Sequence, residues 1–148
     1  MRQAKGVRIM IVDDEACIAD SLAIIFRNSG YEAVAYYDGD TALRACEEGA
    51  PDLLLTDVIM PGLDGIELAI LMKKQYPGCR VLLISGLGTS FDLLEQAERR
   101  GFHFEILEKP TPPDELLKTI AAALGRGSPL PFPKRTAGIR RERARDAS

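Results

Sequence analysis

Short apolar runs alternate with longer segments of helical periodicity along the first 125 residues of the chain. Between the runs, apolar side chains recur every three to four residues, and glycine or proline follows each helical stretch, which is typical of helix C-termini. The runs are strand-sized and rich in aliphatic residues, and they cover residues 7–12, 33–37, 53–56, 81–85 and 104–107. The alternation predicts five βα units whose parallel strands are covered by helices on both faces.

Right-handed crossovers between such units yield a doubly wound α/β sheet. A chain of 148 residues fits one domain with one substantial core. The pattern therefore predicts a single (βα)5 domain over residues 7–124.

The character of the chain changes at Gly125, where glycines and prolines precede an Arg-rich end. Residues 1–125 carry 12 Lys/Arg and 20 Asp/Glu, whereas residues 126–148 carry 7 and 2, so the net charge of -3 combines -8 with +5. We expect residues 125–148 to be a disordered basic tail or a linker. The alternative is a short arm that docks on an acidic surface or on nucleic acid.

Composition excludes several classes of function. The acidic folded part is not expected to hold nucleic acid by charge. Three isolated cysteines without a CxxC pair predict reduced packing residues rather than disulfides or a metal site. Residues 1–6 lack the apolar stretch of a signal peptide, and no apolar run is long enough to span a membrane, so we expect a cytoplasmic location.

Polar residues stand at or just past the ends of four of the predicted strands. Asp13 and Asp14 follow the first strand, Asp57 the third, and Lys109 the fifth, while Ser85 ends the fourth. Because the carboxyl ends of parallel strands meet at one edge of the sheet, we expect these side chains to converge.

Carboxylates gathered in this way suit Mg²⁺, which needs one or two of them together with water or a phosphate oxygen. The carboxylate of Asp57 could attack phosphorus to give an acyl phosphate. Lys109 would offset the charge on the transferring group, and the hydroxyl of Ser85 could bond a phosphoryl oxygen. An Asp at a strand end is commonly only a turn or cap residue, but the joint placement on four strands favours phosphoryl chemistry.

Four motifs stand at the ends of the predicted strands: Ile11-Val12-Asp13-Asp14-Glu15, Thr56 to Gly65, Leu83-Ile84-Ser85-Gly86 and Glu108-Lys109-Pro110. In order and spacing across residues 7–124 they resemble the motifs of the receiver domain of two-component response regulators, of the chemotaxis-receiver type. The resemblance implies a flavodoxin-like receiver fold with the parallel strand order 2-1-3-4-5.

The resemblance also implies a role for each site residue. Asp57 would be the phosphoacceptor, assisted by the hydroxyl switch position Ser85 and by the phosphate-contacting Lys109. Asp14 would coordinate Mg²⁺ directly and Asp13 through water. Asp57 and the backbone carbonyl of Ile59 would complete the set of metal ligands. The Lys109–Pro110 bond is predicted to be cis.

The partners implied are a sensor histidine kinase or a histidine phosphotransfer protein as phosphodonor. A protein target or a second copy of the chain would bind the face formed by helix four, strand five and helix five. The protein would then be a signalling domain that catalyses its own phosphorylation and dephosphorylation, not an enzyme acting on a separate substrate.

The last strand departs from the family pattern. Ile106 stands where the family often has Tyr or Phe, and Phe104 lies two residues earlier. We therefore expect the output face to work without the usual aromatic switch. In the turn before the strand, Phe102 and His103 are expected to be partly buried, and the alternative is that they face a binding partner.

Three other classes of protein share parts of this pattern. A flavodoxin-like electron carrier needs a hydroxyl- and glycine-rich loop where this chain has Asp13-Asp14-Glu15. A haloacid-dehalogenase-type phosphatase needs a general acid two residues after its nucleophile, where Ile59 stands. The third alternative is a pseudo-receiver, a protein-binding module that is never phosphorylated, and the intact acid and lysine set argues against it.

Overall fold

The fold is a five-stranded parallel sheet in the order β2-β1-β3-β4-β5, with helices on both faces. A computed structural model describes residues 6–86 and 91–125 of the chain. Both the doubly wound architecture and the predicted strand order are confirmed. The strands are β1 (Arg8–Val12), β2 (Glu32–Tyr36), β3 (Leu53–Asp57), β4 (Arg80–Ser85) and β5 (Glu105–Glu108). The helices are α1 (Ala16–Asn28), α2 (Gly39–Ala45), α3 (Gly65–Gln75), α4 (Phe91–Arg99) and α5 (Pro113–Ala123), and a 3-10 turn (Cys46–Glu48) follows α2.

Strand pairing shifts most strand boundaries by one residue from the predicted ranges. Glu32 belongs to β2 because it pairs with Arg8, and Glu108 belongs to β5 because it pairs with Ser85. Asp57 is the last residue of β3, where it pairs with Ile84 of β4. Its backbone therefore belongs to the sheet, while its side chain lies at the sheet's carboxyl edge.

Alternating strand residues pack into opposite halves of the core. On one face, Ile9 and Leu53 pack with Phe26 of α1 and Ile120 of α5. On the other face, Leu54 packs with residues of α2 and α3, and Leu83 packs with residues of α3 and α4. The inner strands are apolar over residues 9–12, 53–55 and 81–84 because both of their faces are covered there, as the sequence pattern predicted.

Two helices begin at aspartates that cap free backbone N–H groups. The Asp38 side chain accepts a hydrogen bond from the Thr41 N–H at the start of α2. The Asp64 side chain accepts one from the Glu67 N–H at the start of α3, at 2.8 Å. Such caps fix where a helix starts. The Asp64 cap therefore fixes the end of the loop that leads from Asp57 into α3.

The three cysteines are free thiols in two kinds of environment. Cys46 and Cys79 are buried in the core, as predicted for packing residues, and burial raises the pKa of Cys79 to about 11. Cys17 is exposed on α1, so the prediction that all three are packing residues is wrong for it. The first turn of α1 directs Cys17 outward, while Ala19 of the same helix is buried.

None of the helices among the described residues is long and apolar enough to cross a membrane. The predicted basic tail or linker lies, apart from Gly125, outside the described residues.

Candidate functional site

Three carboxylates meet at the carboxyl edge of the sheet. Asp13 and Asp14 follow β1, and Asp57 ends the adjacent β3. One oxygen from each lies within 4.8 Å of the others. Asp13 is buried and Asp14 is exposed, while the Asp57 side chain keeps 11% of its surface accessible. The sheet therefore covers one side of the carboxylate cluster, and the other side is accessible to solvent.

The ammonium group of Lys109 lies between two of these carboxylates. Its Nζ is 3.4 Å from Oδ2 of Asp13 and 3.4 Å from Oδ2 of Asp57. The backbone N–H of Lys109 donates to the Ser85 carbonyl at 2.8 Å, which ties the residue to the end of β4. The Lys109–Pro110 bond is cis, as predicted. The structure thus brings Asp13, Asp14, Asp57 and Lys109 together, as their strand-end positions predicted.

The charges in this cluster influence one another. Burial raises the pKa of the Asp57 carboxyl, and the negative charge of Asp13 adds to that effect, while Lys109 acts in the opposite direction. Burial alone would lower the pKa of Lys109, but the carboxylates of Asp13 and Asp57 outweigh it and the pKa is raised. Lys109 therefore stays protonated at neutral pH.

Backbone hydrogen bonds hold Asp13 in place. Its N–H donates to the Tyr36 carbonyl of β2 at 3.1 Å, and its Oδ1 accepts the Glu15 N–H at 2.9 Å. The second bond turns the carboxylate so that its other oxygen, Oδ2, contacts Lys109. Asp13 is thus oriented by its neighbours, whereas Asp14 lies on the accessible side of the cluster.

The donor set fits a magnesium ion. Mg²⁺ prefers oxygen ligands and keeps several waters, so it is held by few carboxylates beside an open side. Three carboxylates and one ammonium group leave an excess of negative charge that a divalent cation would balance. Asp13, Asp14 and Asp57 are therefore the side chains that could hold the ion.

Ser85 and Ile59 lie next to the cluster, and their predicted roles stay predictions. Ser85 is buried at the end of β4, and its hydroxyl donates to the Gly86 carbonyl at 2.9 Å. The Ile59 side chain is exposed just after Asp57. We also expect the apolar side chains of Ile59 and Leu87 to shield a phosphoryl group on Asp57 from attacking water. Leu87 lies outside the described residues.

Two residues beside Asp57 contribute contacts that the motifs did not identify. The hydroxyl of Thr56 donates to the Asp57 carbonyl at 2.9 Å, and Gly65 packs directly against that same carbonyl. The sequence does not indicate the first contact, because a threonine in a strand is ordinary. Nor does it indicate that Gly65 touches the Asp57 carbonyl, since a glycine after a strand is ordinary in a turn.

The turn before β5 differs from expectation at one residue. Phe102 is partly buried, as predicted, and its ring stacks on Phe104 with centroids 6.1 Å apart. His103 is exposed instead of partly buried, so that prediction is wrong. Alternation along the extended turn points both phenylalanines and Ile106 toward α4, which leaves His103 on the outside.

Comparison with known proteins identifies relatives for most of the chain. The family model described as the response regulator receiver domain matches residues 9–121. The DNA-binding response regulator MtrA of Mycolicibacterium paratuberculosis is 31% identical over 124 residues, which are 84% of this chain and 54% of that protein. MtrA of Mycobacterium tuberculosis is also 31% identical, over 84% of this chain and 53% of its own length. The chain thus spans about half the length of these curated relatives.

Solved structures share the fold. The receiver domain of NtrX from Brucella abortus is 37% identical and superposes with a TM-score of 0.70, over 80% of this chain and 99% of that one. A response regulator receiver domain protein from Clostridium thermocellum is 28% identical with a TM-score of 0.71, over 80% of this chain and 94% of that one.

Proposed function

Because the chain belongs to the response regulator receiver domain family, we propose that Asp57 accepts a phosphoryl group in a two-component signalling pathway. The donor is a phosphohistidine on a sensor histidine kinase or a histidine phosphotransfer protein. The observation that carries the proposal is the joint placement of the Asp57 carboxylate, the Lys109 ammonium group and the carboxylates of Asp13 and Asp14.

Phosphoryl transfer to Asp57 exchanges one bond to phosphorus for another. A carboxylate oxygen of Asp57 attacks phosphorus in line, and an O–P bond forms as the P–N bond of phosphohistidine breaks. The electron pair of that bond leaves with the imidazole nitrogen of the donor, and the product is an acyl phosphate. The receiver contributes the nucleophile and positive charge beside it. It therefore promotes its own phosphorylation without acting on a separate substrate.

Asp13, Asp14 and Asp57 would hold Mg²⁺, together with the backbone carbonyl of Ile59. When bound, the ion neutralises charge on the phosphoryl oxygens. Lys109 contributes a second positive charge beside Asp57, and its raised pKa keeps that charge present at neutral pH. Ser85 lies where β4 pairs with β5. Its hydroxyl would turn to bond a phosphoryl oxygen, and this movement would transmit the effect of phosphorylation toward α4.

The output of the domain would be a change in protein binding. We propose that α4, β5 and α5 form the surface that a protein target or a second copy of the chain recognises after phosphorylation. The matched relatives are DNA-binding response regulators, and this chain spans about half their length. DNA binding is not proposed for the described domain, whose sequence through residue 125 carries an excess of acidic residues.

The test is phosphorylation with acetyl phosphate in the presence of Mg²⁺, followed by intact-protein mass spectrometry. One hydroxylamine-sensitive phosphoryl group should appear on the wild-type protein and be absent from Asp57→Asn. Asp40→Asn is the matched control, because Asp40 is an exposed aspartate in the first turn of α2. A wild-type protein that takes up no phosphoryl group would support the pseudo-receiver instead, and full labelling of Asp57→Asn would place the acceptor elsewhere.

A further inference from the structure

The peptide unit that joins Asp57 to Val58 consists of the Asp57 carbonyl and the Val58 N–H, and both groups are held. The Val58 N–H donates to the Ile84 carbonyl of β4 at 2.9 Å, and in the next peptide unit the Val58 carbonyl accepts the Gly65 N–H at 2.7 Å. Val58 itself is fully buried. This short segment carries the Asp57 side chain at the point where β3 leaves the sheet.

In that peptide unit, the Asp57 carbonyl is held by a side chain. The Thr56 hydroxyl donates to it at 2.9 Å, and Thr56 has no exposed surface. On the same carbonyl, a Cβ added to Gly65 would lie only 2.0 Å from the oxygen. The Asp57 carbonyl thus accepts a hydrogen bond from Thr56 and packs against the backbone of Gly65.

The hydroxyl of Thr56 has no evident packing purpose. Its partners in the sheet are Val12 on β1 and Leu83 on β4, both apolar and buried. Valine has the shape of threonine and would suit this apolar position in a strand. A buried hydroxyl is retained at low cost only where it makes a hydrogen bond, and here the bond goes to the phosphoacceptor's own carbonyl.

We propose that Thr56 is a positioning residue for Asp57: its hydroxyl and the bare Cα of Gly65 hold the Asp57 carbonyl and so set the direction of the reactive carboxylate. The inference rests on the proposed function of Asp57 and adds a residue to it. Rotation of this peptide unit would swing the Asp57 Cα–Cβ bond and move the carboxylate, which now lies 3.4 Å from Lys109. In-line attack is sensitive to displacements of about 1 Å.

The test uses the full chain and three variants. Thr56→Val removes the hydroxyl and keeps the branched shape, whereas Thr56→Ser keeps the hydroxyl. Thr41→Val is the matched control, because the Thr41 hydroxyl also donates a single hydrogen bond, to the carboxylate of Asp38 at 3.0 Å, but at an exposed position of α2. For each protein, the rate of phosphorylation by acetyl phosphate, the dissociation constant for Mg²⁺ without phosphodonor, and Tm are measured.

Thr56→Val should slow phosphorylation roughly three- to tenfold, the range that loss of one hydrogen bond allows. It should also weaken Mg²⁺ binding, since Asp57 is one of the carboxylates of the cluster. Thr56→Ser should recover most of the rate and affinity, and Thr41→Val should match the wild type. A structural role alone would lower Tm without changing the rate per folded molecule.

Two results would overturn the inference. One is a Thr56→Val protein with wild-type phosphorylation rate and wild-type Mg²⁺ affinity. The other is a Thr56→Ser protein as impaired as Thr56→Val, because then the branched shape and not the hydroxyl matters. If the wild type binds Mg²⁺ but takes no phosphoryl group, the proposed function fails, and the Mg²⁺ affinities of the same variants still decide the role of Thr56.

Discussion

Replacing Gly65 with alanine should destabilise the protein more than an ordinary surface substitution. A Cβ at this position would lie 2.0 Å from the Asp57 carbonyl oxygen, 2.8 Å from the Asp57 carbonyl carbon and 2.8 Å from the Val58 Cα. Side-chain carbons are essentially never found closer than 3.0 Å to such atoms. All three atoms belong to the backbone, so no flexible side chain can move aside.

The cost can be worked from the contacts that must change. To reach 3.0 Å, α3 and β3 must separate by about 1 Å, and such overpacking costs about 1–3 kcal/mol. The 2.7 Å hydrogen bond from the Gly65 N–H to the Val58 carbonyl would lengthen or break, which adds about 1 kcal/mol. We expect a loss of about 3 kcal/mol in the free energy of unfolding, a large part of the roughly 5–15 kcal/mol of a typical domain.

Urea unfolding, followed by circular dichroism, measures this loss directly. Gly78→Ala is the matched control, since a Cβ added at Gly78 meets nothing within 4 Å, and we expect a change there of less than about 1 kcal/mol. A Gly65→Ala protein within about 1 kcal/mol of the wild type would show that the backbone accommodates the added Cβ at little cost. A Gly78→Ala protein that loses as much as Gly65→Ala would show that the close approach to Asp57 is not the cause.

Three further predictions concern the metal, the lifetime of the phosphoryl group and the thiols. Replacing Asp14 with Ala should weaken Mg²⁺ binding, measured by calorimetry, far more than replacing Glu15, and equal effects would misplace the metal site. Ile59→Asn should shorten the phosphorylated lifetime, because an exposed apolar side chain beside Asp57 cannot orient an attacking water; phosphate release no faster than wild type would exclude shielding. At pH 8, iodoacetamide should label Cys17 and spare Cys79, whose pKa of about 11 and burial suppress the thiolate; equal labelling by mass spectrometry would contradict this.

The architecture, and the grouping of four candidate site residues, could be predicted from the sequence alone. Strand-length apolar runs separated by helical segments specify parallel strands buried on both faces. Asp13, Asp14, Asp57 and Lys109 could be grouped from the sequence because each directly follows or ends a strand, and parallel strands end at one edge. The local pattern was sufficient for these residues, because residues at the carboxyl ends of neighbouring parallel strands lie close together in space.

How those four residues are held depends on tertiary contacts that the sequence pattern does not show. The order of burial within the acid cluster, with Asp13 inside and Asp14 outside, depends on the bonds that Asp13 makes to Tyr36 and Glu15. The exposure of Cys17 and of His103 also depends on tertiary packing, and the sequence-based predictions for these two residues were wrong.

The contacts of Thr56 and Gly65 with the Asp57 carbonyl are the clearest case. Thr56 is adjacent to Asp57 in sequence, but that adjacency does not give the direction of its hydroxyl. Gly65 approaches that carbonyl only because α3 turns back over the end of the strand. Periodicity specifies which side chains are buried, whereas the approach of one backbone to another depends on the packed arrangement of a whole helix on a sheet.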